Sequence, residues 1–112
     1  MHLELRRIIL FTRNMDAMSR FYAEVLGLDL ANSEPGWKDY SAGACSIALH
    51  EGESKPGTRS PKLAFYAKDV AATRNTLIKR GTKMGKIIST KSFDFCDGKD
   101  PDGNAFSISS RK

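Results

Sequence analysis

The sequence predicts an α+β domain built from two successive βαβββ modules, and three observations carry that prediction. The text RIILFTRNMDAMSRFYAEVLGL from Arg7 is loosely restated as KLAFYAKDVAATRNTLIKRG from Lys62. Each copy runs from an apolar strand through a polar turn into an amphipathic helix that stops at a glycine, Gly27 or Gly81, so the repeated unit begins β-α. The stretch after each helix lacks helical periodicity and is broken by turn residues, as several short strands would be.

Size and charge set the limits. With 112 residues and 40% hydrophobic content, the chain has material for one core and not for two independent ones. Module 1 (about residues 5–50), a linker (51–61) and module 2 (about 62–109) are therefore expected to form a single domain, 1–112. No run approaches the ~18 apolar residues of a membrane span, and the start MHLELRR has no secretory pattern, so the expected location is the cytoplasm, with no membrane partner. Cys45 and Cys96 have no CxxC spacing and read as strand residues in a reducing compartment. The net charge of +5 suits acidic ligands. Its lysines and arginines are scattered, and no aromatic stripe interleaves with a basic run, which argues against nucleic acid.

The elements follow in order. β-Branched and alternating residues make 7–11 a strand with one face on a helix. Asn14 or Asp16 can cap the helix that follows. Met15, Met18, Phe21, Tyr22, Val25 and Leu26 then recur at steps of three and four, an apolar stripe that belongs to the core. Residues 28–31 read as a strand, 34–36 as a turn, and 37–41 with 45–50 as a hairpin. Glycine, proline, serine and charge mark 51–61 as linker. Residues 62–67 repeat the first strand, Asp69 caps the second helix, and Val70, Leu77 and Ile78 are expected on its buried face. Residues 86–89, 93–97 and 105–109 close the module. The last two strands are joined by DPDGN at 100–104, where Pro101 presets a turn dihedral and Gly103 and Asn104 tolerate positive φ. Asp100 and Asp102 are turn formers on this reading, not calcium ligands.

FYAEVLGL at 21–28, KLAFYAKD at 62–69 and DPDGNAFSI at 100–108 together resemble the vicinal oxygen chelate superfamily of glyoxalase I, extradiol dioxygenases, fosfomycin-resistance thiol transferases and bleomycin-resistance proteins. The resemblance covers essentially the whole chain. It implies curved mixed sheets around a cup, formed within one chain or between the two chains of a homodimer. Function then has to be argued from the site, because the fold hosts many chemistries.

Metal-dependent members of that superfamily place His, Glu or Gln at four strand positions facing the cup. Matched through the motifs, these positions fall here on Arg7, Lys62, Ser107 and, where no motif pins the register, near Ala48. Arginine and protonated lysine offer donors only and repel a cation. His50, Glu51 and Glu53 do not complete a three-ligand set, and His2 lies near the start of the sequence. The expectation is no metal and no cofactor.

Alternation assigns Arg7, Ile9, Phe11, Ser46, Ala48, His50, Lys62, Ala64, Tyr66, Ala105, Ser107 and Ser109 to the cup side. The apolar set Ile8, Leu10, Ile47, Leu49, Leu63, Phe65, Phe106 and Ile108 goes to the helix side. Aromatic, hydroxyl and cationic groups on one face suit a small-molecule ligand, and Trp37 and Tyr40 can add an aromatic wall. The expected ligand contacts are Arg7, Ile9, Phe11, Trp37, Ala48, His50, Lys62, Tyr66 and Ser107, for an anionic or aromatic ligand held without metal, as in antibiotic-resistance members. A basic site disfavours cationic bleomycin-type drugs. The alternative is an enzyme of the superfamily (lyase, thiol transferase or dioxygenase-like) with an atypical site, in which Arg7, Lys62 or Tyr66 serves acid-base chemistry; no catalytic residue is named by the sequence. If Arg7 and Lys62 converge, either a carboxylate such as Glu4 or Asp94 neutralises them or a ligand anion does.

Overall fold

The computed structural model describes residues 1–2, 4–53, 55 and 61–112. The chain divides into two compact units, Met1–Lys55 and Pro56–Lys112. Of the expected linker, 54 and 56–60 lie outside the described residues, and Glu51 belongs to a strand.

In the first unit, β1 (Arg7–Thr12) leads through α1 (Met15–Arg20) to β2 (Asp29–Glu34), β3 (Trp37–Ala42) and β4 (Cys45–Glu51). The sheet order is β1-β4-β3-β2, with β1 parallel to β4 and the other pairs antiparallel. A parallel pair needs a crossover, and α1 with the β2–β3 hairpin supplies it. Asn14 sits at the N-cap of α1 without a side-chain cap bond. Instead, its N–H donates to Thr12 Oγ1 at 2.9 Å. Beyond Arg20 the helix widens into a π-helical turn, Phe21–Val25. Leu28 N–H reaches the Tyr22 carbonyl at 3.0 Å across Gly27, whose φ of 72° a side chain would strain. Of the expected stripe, Met18, Phe21 and Tyr22 are buried, as are Ile47 and Leu49 of β4, the strand that α1 packs on, while Met15, Val25 and Leu26 are half-buried. Tyr40, expected as a possible ligand wall, also lies there, buried, with its hydroxyl donating to the Ser19 carbonyl at 3.4 Å.

The second unit repeats this plan with β5 (Leu63–Tyr66), α2 (Val70–Lys79), β6 (Ile88–Ser89), β7 (Asp94–Lys99) and β8 (Ala105–Ser109) in the order β5-β8-β7-β6. Asp69 caps α2, its carboxylate accepting from Ala72 N–H at 3.0 Å, a contact typically worth about 1 kcal/mol. Val70 and Leu77 face the core with Leu63, Cys96, Phe106 and Ile108. Burying a side chain the size of Phe106 contributes roughly 1.5–3 kcal/mol. Ile78 departs from expectation: it is 43% exposed, because one step past Leu77 turns it about 100° away from the sheet. β6 is shorter than the expected 86–89, since the chain before it is already tied by a Met84–Gly98 bridge and by Gly85 N–H donating to the Asp97 carbonyl at 2.8 Å. DPDGN behaves as turn chemistry. Asp100, 5% exposed, accepts from Asp102 N–H (3.0 Å), Asn104 N–H (2.8 Å) and Asn104 Nδ2 (2.8 Å).

Among the described residues, no helix is long and apolar enough to cross a membrane.

Candidate ligand-binding faces

Each sheet has one face toward its helix and one away from it, and the expected contacts lie on the latter. In the first unit, strand pairing aligns Arg7 with Ser46, Ile9 with Ala48 and Asp39, and Phe11 with His50 and Trp37. His50 stands between two rings, 5.4 Å from Phe11 and 5.5 Å from Trp37 by centroids. The Arg7 guanidinium lies 5.8 Å from the Trp37 ring centre and donates through Nε to Asp39 Oδ2 at 3.1 Å. Asp39 is 6% exposed, and its other oxygen, Oδ1, has no hydrogen-bond partner among the described residues. Ile9 and Phe11 are about half exposed, whereas Ala48 is fully buried.

The second unit carries the counterpart. Lys62, just before β5, donates to Asp97 Oδ1 at 3.1 Å. Asp97 pairs across β8 with Ser107, which pairs with Ala64. Asp39 stands in the same relation to Ala48 and Ile9, so the two units hold the same ion pair straddling the same middle strand. The partners of Arg7 and Lys62 are thus Asp39 and Asp97, each from its own unit. Glu4 pairs with Arg6 and His2, and Asp94 bonds Ser110 through its backbone. Nothing in the local text marks the two aspartates. Only the hairpin register, which puts each opposite a position matched to the superfamily's ligand set, could have found them.

A cavity of about 470 Å³ opens on this face of the second unit. Tyr66, Phe93 and Phe95 form its aromatic walls, Ser107 and Ser109 offer hydroxyls, and Lys62, Asp97, Arg111 and Lys112 carry its charge. Arg111 lies 5.2 Å from the Phe93 ring centre and Lys112 Nζ 5.7 Å from that of Tyr66. Phe93, Phe95, Arg111 and Lys112 were not expected as contacts; Phe95 follows from alternation along β7 and Phe93 from the same alternation one position before that strand, while the two cations lie past the last strand, where periodicity says nothing. A groove of about 430 Å³ on the helix side of the first unit balances Asp16 and Glu24 against Arg20 and Lys38.

The four positions matched to metal ligands do not fit a divalent cation: two are cations in ion pairs, one is a buried methyl and one a hydroxyl. Among the described residues, no three His, Cys, Asp or Glu side chains cluster as ligands would. Cys45 and Cys96 are both free thiols. Burial pushes the Cys96 thiol above its ordinary value, with Asp97 adding to the rise and Arg74 opposing it.

Repeated modules, sheet order and motifs define the class, and the comparison with protein families agrees. Residues 4–108 match the Glyoxalase/Bleomycin resistance protein/Dioxygenase superfamily, and the chain belongs to that superfamily. No curated protein matches the sequence. Among solved structures, the chain is similar to TnmS3, an antibiotic binding protein from Streptomyces sp. CB03234, at 23% identity, covering 96% of this chain and 94% of that one, with a TM-score of 0.79. It is also similar to lactoylglutathione lyase from Agrobacterium tumefaciens, at 17% identity over 94% and 91% of the two chains, with a TM-score of 0.77. An integron cassette protein from the mobile metagenome of a Halifax Harbour sewage outfall gives 17% identity over 96% and 97%, with a TM-score of 0.80. At these identities the likeness is one of fold.

Proposed function

We propose that this protein is a metal-free small-molecule binding or sequestering member of its superfamily, taking an aromatic or anionic ligand on the helix-free sheet faces and working as a cytoplasmic homodimer. The observation that carries this is the aromatic-walled cavity of the second unit, which has the size and the mixed apolar and polar lining of a small-ligand site. Arg7, Ile9, Phe11, Trp37, Ala48 and His50 are the contacts we assign to the first unit, and Lys62, Tyr66 and Ser107 those of the second. The donor chemistry at the matched positions favours binding over metal-dependent turnover. Likeness in fold to an antibiotic binding protein is compatible with sequestration of a drug-like molecule. Pairing into a dimer is supported by the half-exposed Ile9, Phe11 and Tyr66 and by β2, an edge strand exposed along its whole length, with C2 symmetry the commonest arrangement.

A thermal-shift screen of aromatic and acidic small molecules, followed by native mass spectrometry of the hits, tests the reading. The expected result is a two-chain species that retains hit molecules unchanged. A library in which nothing raises the melting temperature, or a hit that is chemically converted, would refute it.

A further inference from the structure

We infer that the cavity of the second unit selects ligands that join a flat aromatic body to an acidic group, and that Arg111 and Lys112, rather than Arg7 and Lys62, read the acid. This rests on the small-molecule reading above and specifies its ligand class.

Charge balance is the first argument. Three side-chain cations and one side-chain carboxylate line the cavity. Lys62 and Asp97 neutralise each other at 3.1 Å, which leaves the Arg111 and Lys112 side chains as two positive charges with no side-chain carboxylate partner among the described residues. The helix-free face of the first unit has no such surplus, because Arg7 is committed to Asp39. An anion therefore gains from the second unit's face what the first does not offer.

Position is the second. Arg111 lies two positions past the end of β8, and its backbone N–H donates to Ser109 Oγ at 3.1 Å, which fixes the root of the guanidinium at the cavity's edge. Among the described residues the head groups of both rest on ring faces, Arg111 over Phe93 and Lys112 over Tyr66. Cation-π contacts at exposed sites are weak and place no limit on the outward-facing N–H donors. A carboxylate, sulfonate or phosphate at the rim can take those donors as charge-assisted bonds, bidentate in the case of arginine. The ligand's rings would then lie against Tyr66, Phe95 and the Ala64 methyl, with Ser107 and Ser109 available to a polar substituent. Aromatic surface supplies affinity and the two cations supply selectivity.

The test uses three probes of one shape and different charge: naphthalene-2-carboxylate, naphthalene-2-carboxamide and 2-naphthylmethylammonium. They are titrated calorimetrically into the full chain, Arg111→Ala/Lys112→Ala and Lys79→Ala. The carboxylate should bind wild type at least about tenfold more tightly than the amide, and the ammonium most weakly. That preference should shrink with added salt, vanish in the Arg111→Ala/Lys112→Ala variant and persist in Lys79→Ala, which removes an exposed cation of α2 that does not line the cavity. Both substituted residues of the double variant are exposed and follow the last strand, so circular dichroism should show it folded. Equal binding of carboxylate and amide to wild type, or a preference that survives the double substitution, would overturn the inference and leave the small-molecule reading standing. No binding of any of the three probes to wild type would overturn both.

Discussion

Gly98→Ala isolates a single steric contact whose cost can be worked from the structure. Gly98 lies in β7 opposite Phe106, and a methyl group there would sit 2.7 Å from Met84 Sδ and 2.8 and 3.0 Å from Phe106 Cζ and Cε1. The two neighbours differ in their ability to yield. Met84 is partly exposed and its thioether can swing aside. The Phe106 ring is 1% exposed and packs edge to face on Phe65 at 6.2 Å, so it can move only by disturbing the core under α2. Inserting a methyl into such a site typically costs 1–3 kcal/mol, and replacing a strand glycine returns roughly 0.5–1 kcal/mol of backbone entropy. The expected net loss is about 1–2 kcal/mol, or a melting temperature lower by roughly 4–12 °C for a chain of this size. Urea and thermal unfolding followed by far-UV circular dichroism measure it. Phe106→Leu, destabilising alone, should cost less in the Gly98→Ala background, because the smaller side chain vacates the clash. A Gly98→Ala protein as stable as wild type, or additive costs in the double variant, would refute this account of the packing.

Other perturbations test the charges and turns. Arg7→Met should destabilise by about 2–3 kcal/mol and Lys62→Met by under about 1 kcal/mol in the same unfolding assay, because Asp39 is left buried without its partner while the Asp97 side chain is 45% exposed to water. Asp100→Ala removes the acceptor of three hydrogen bonds, two of them from backbone N–H groups, and should cost about 2–4 kcal/mol by denaturant titration. Burial raises the Cys96 thiol, so the folded state holds its proton more firmly than the unfolded chain. Its contribution to stability should be fully present below the ordinary thiol value of 9.0 and decline as pH rises from there through the folded value, and Cys96→Ala should flatten that alkaline slope. A thiol reagent at neutral pH should label the partly exposed Cys45 quickly and Cys96 only on unfolding.

What the sequence made legible is what local chemistry controls. β8 begins and ends where alternation places it, and both helices stop at glycines of positive φ, Gly27 at 72° and Gly81 at 95°. The Asp69 cap and the Asp100 turn are likewise signalled by residues within four positions of the atoms they bond. Ile78 misled because an apolar residue beside the true stripe fits a loose helical count, and only the packing of Leu77 decides the phase. The ion partners of Arg7 and Lys62 were not legible because each bond spans more than thirty positions, |i−j| being 32 and 35, and reaches across an intervening strand. Arg111 and Lys112 escaped notice for a different reason: beyond the last strand no periodicity tells a basic pair at a cavity rim from a solvated tail.

The parallel pairing of the first and last strand in each unit also sets an order of assembly. Among the described strands β1 is bonded only to β4, and Arg7 meets Ser46, whose peptide is made 39 positions later. At synthesis rates of 5–20 residues per second, β1 waits about 2–8 s on the ribosome before its neighbour exists. The β2–β3 and β3–β4 hairpins close shorter loops and can form first, so β1 should join a sheet already made, with low φ-values at Ile8 and Leu10 and higher ones at Tyr40 and Ile47. The second unit has the same constraint, Leu63 waiting for Phe106. Until then Ile9 and Phe11 are an unpaired apolar strand on a nascent chain, the interval in which this protein is most open to misassociation.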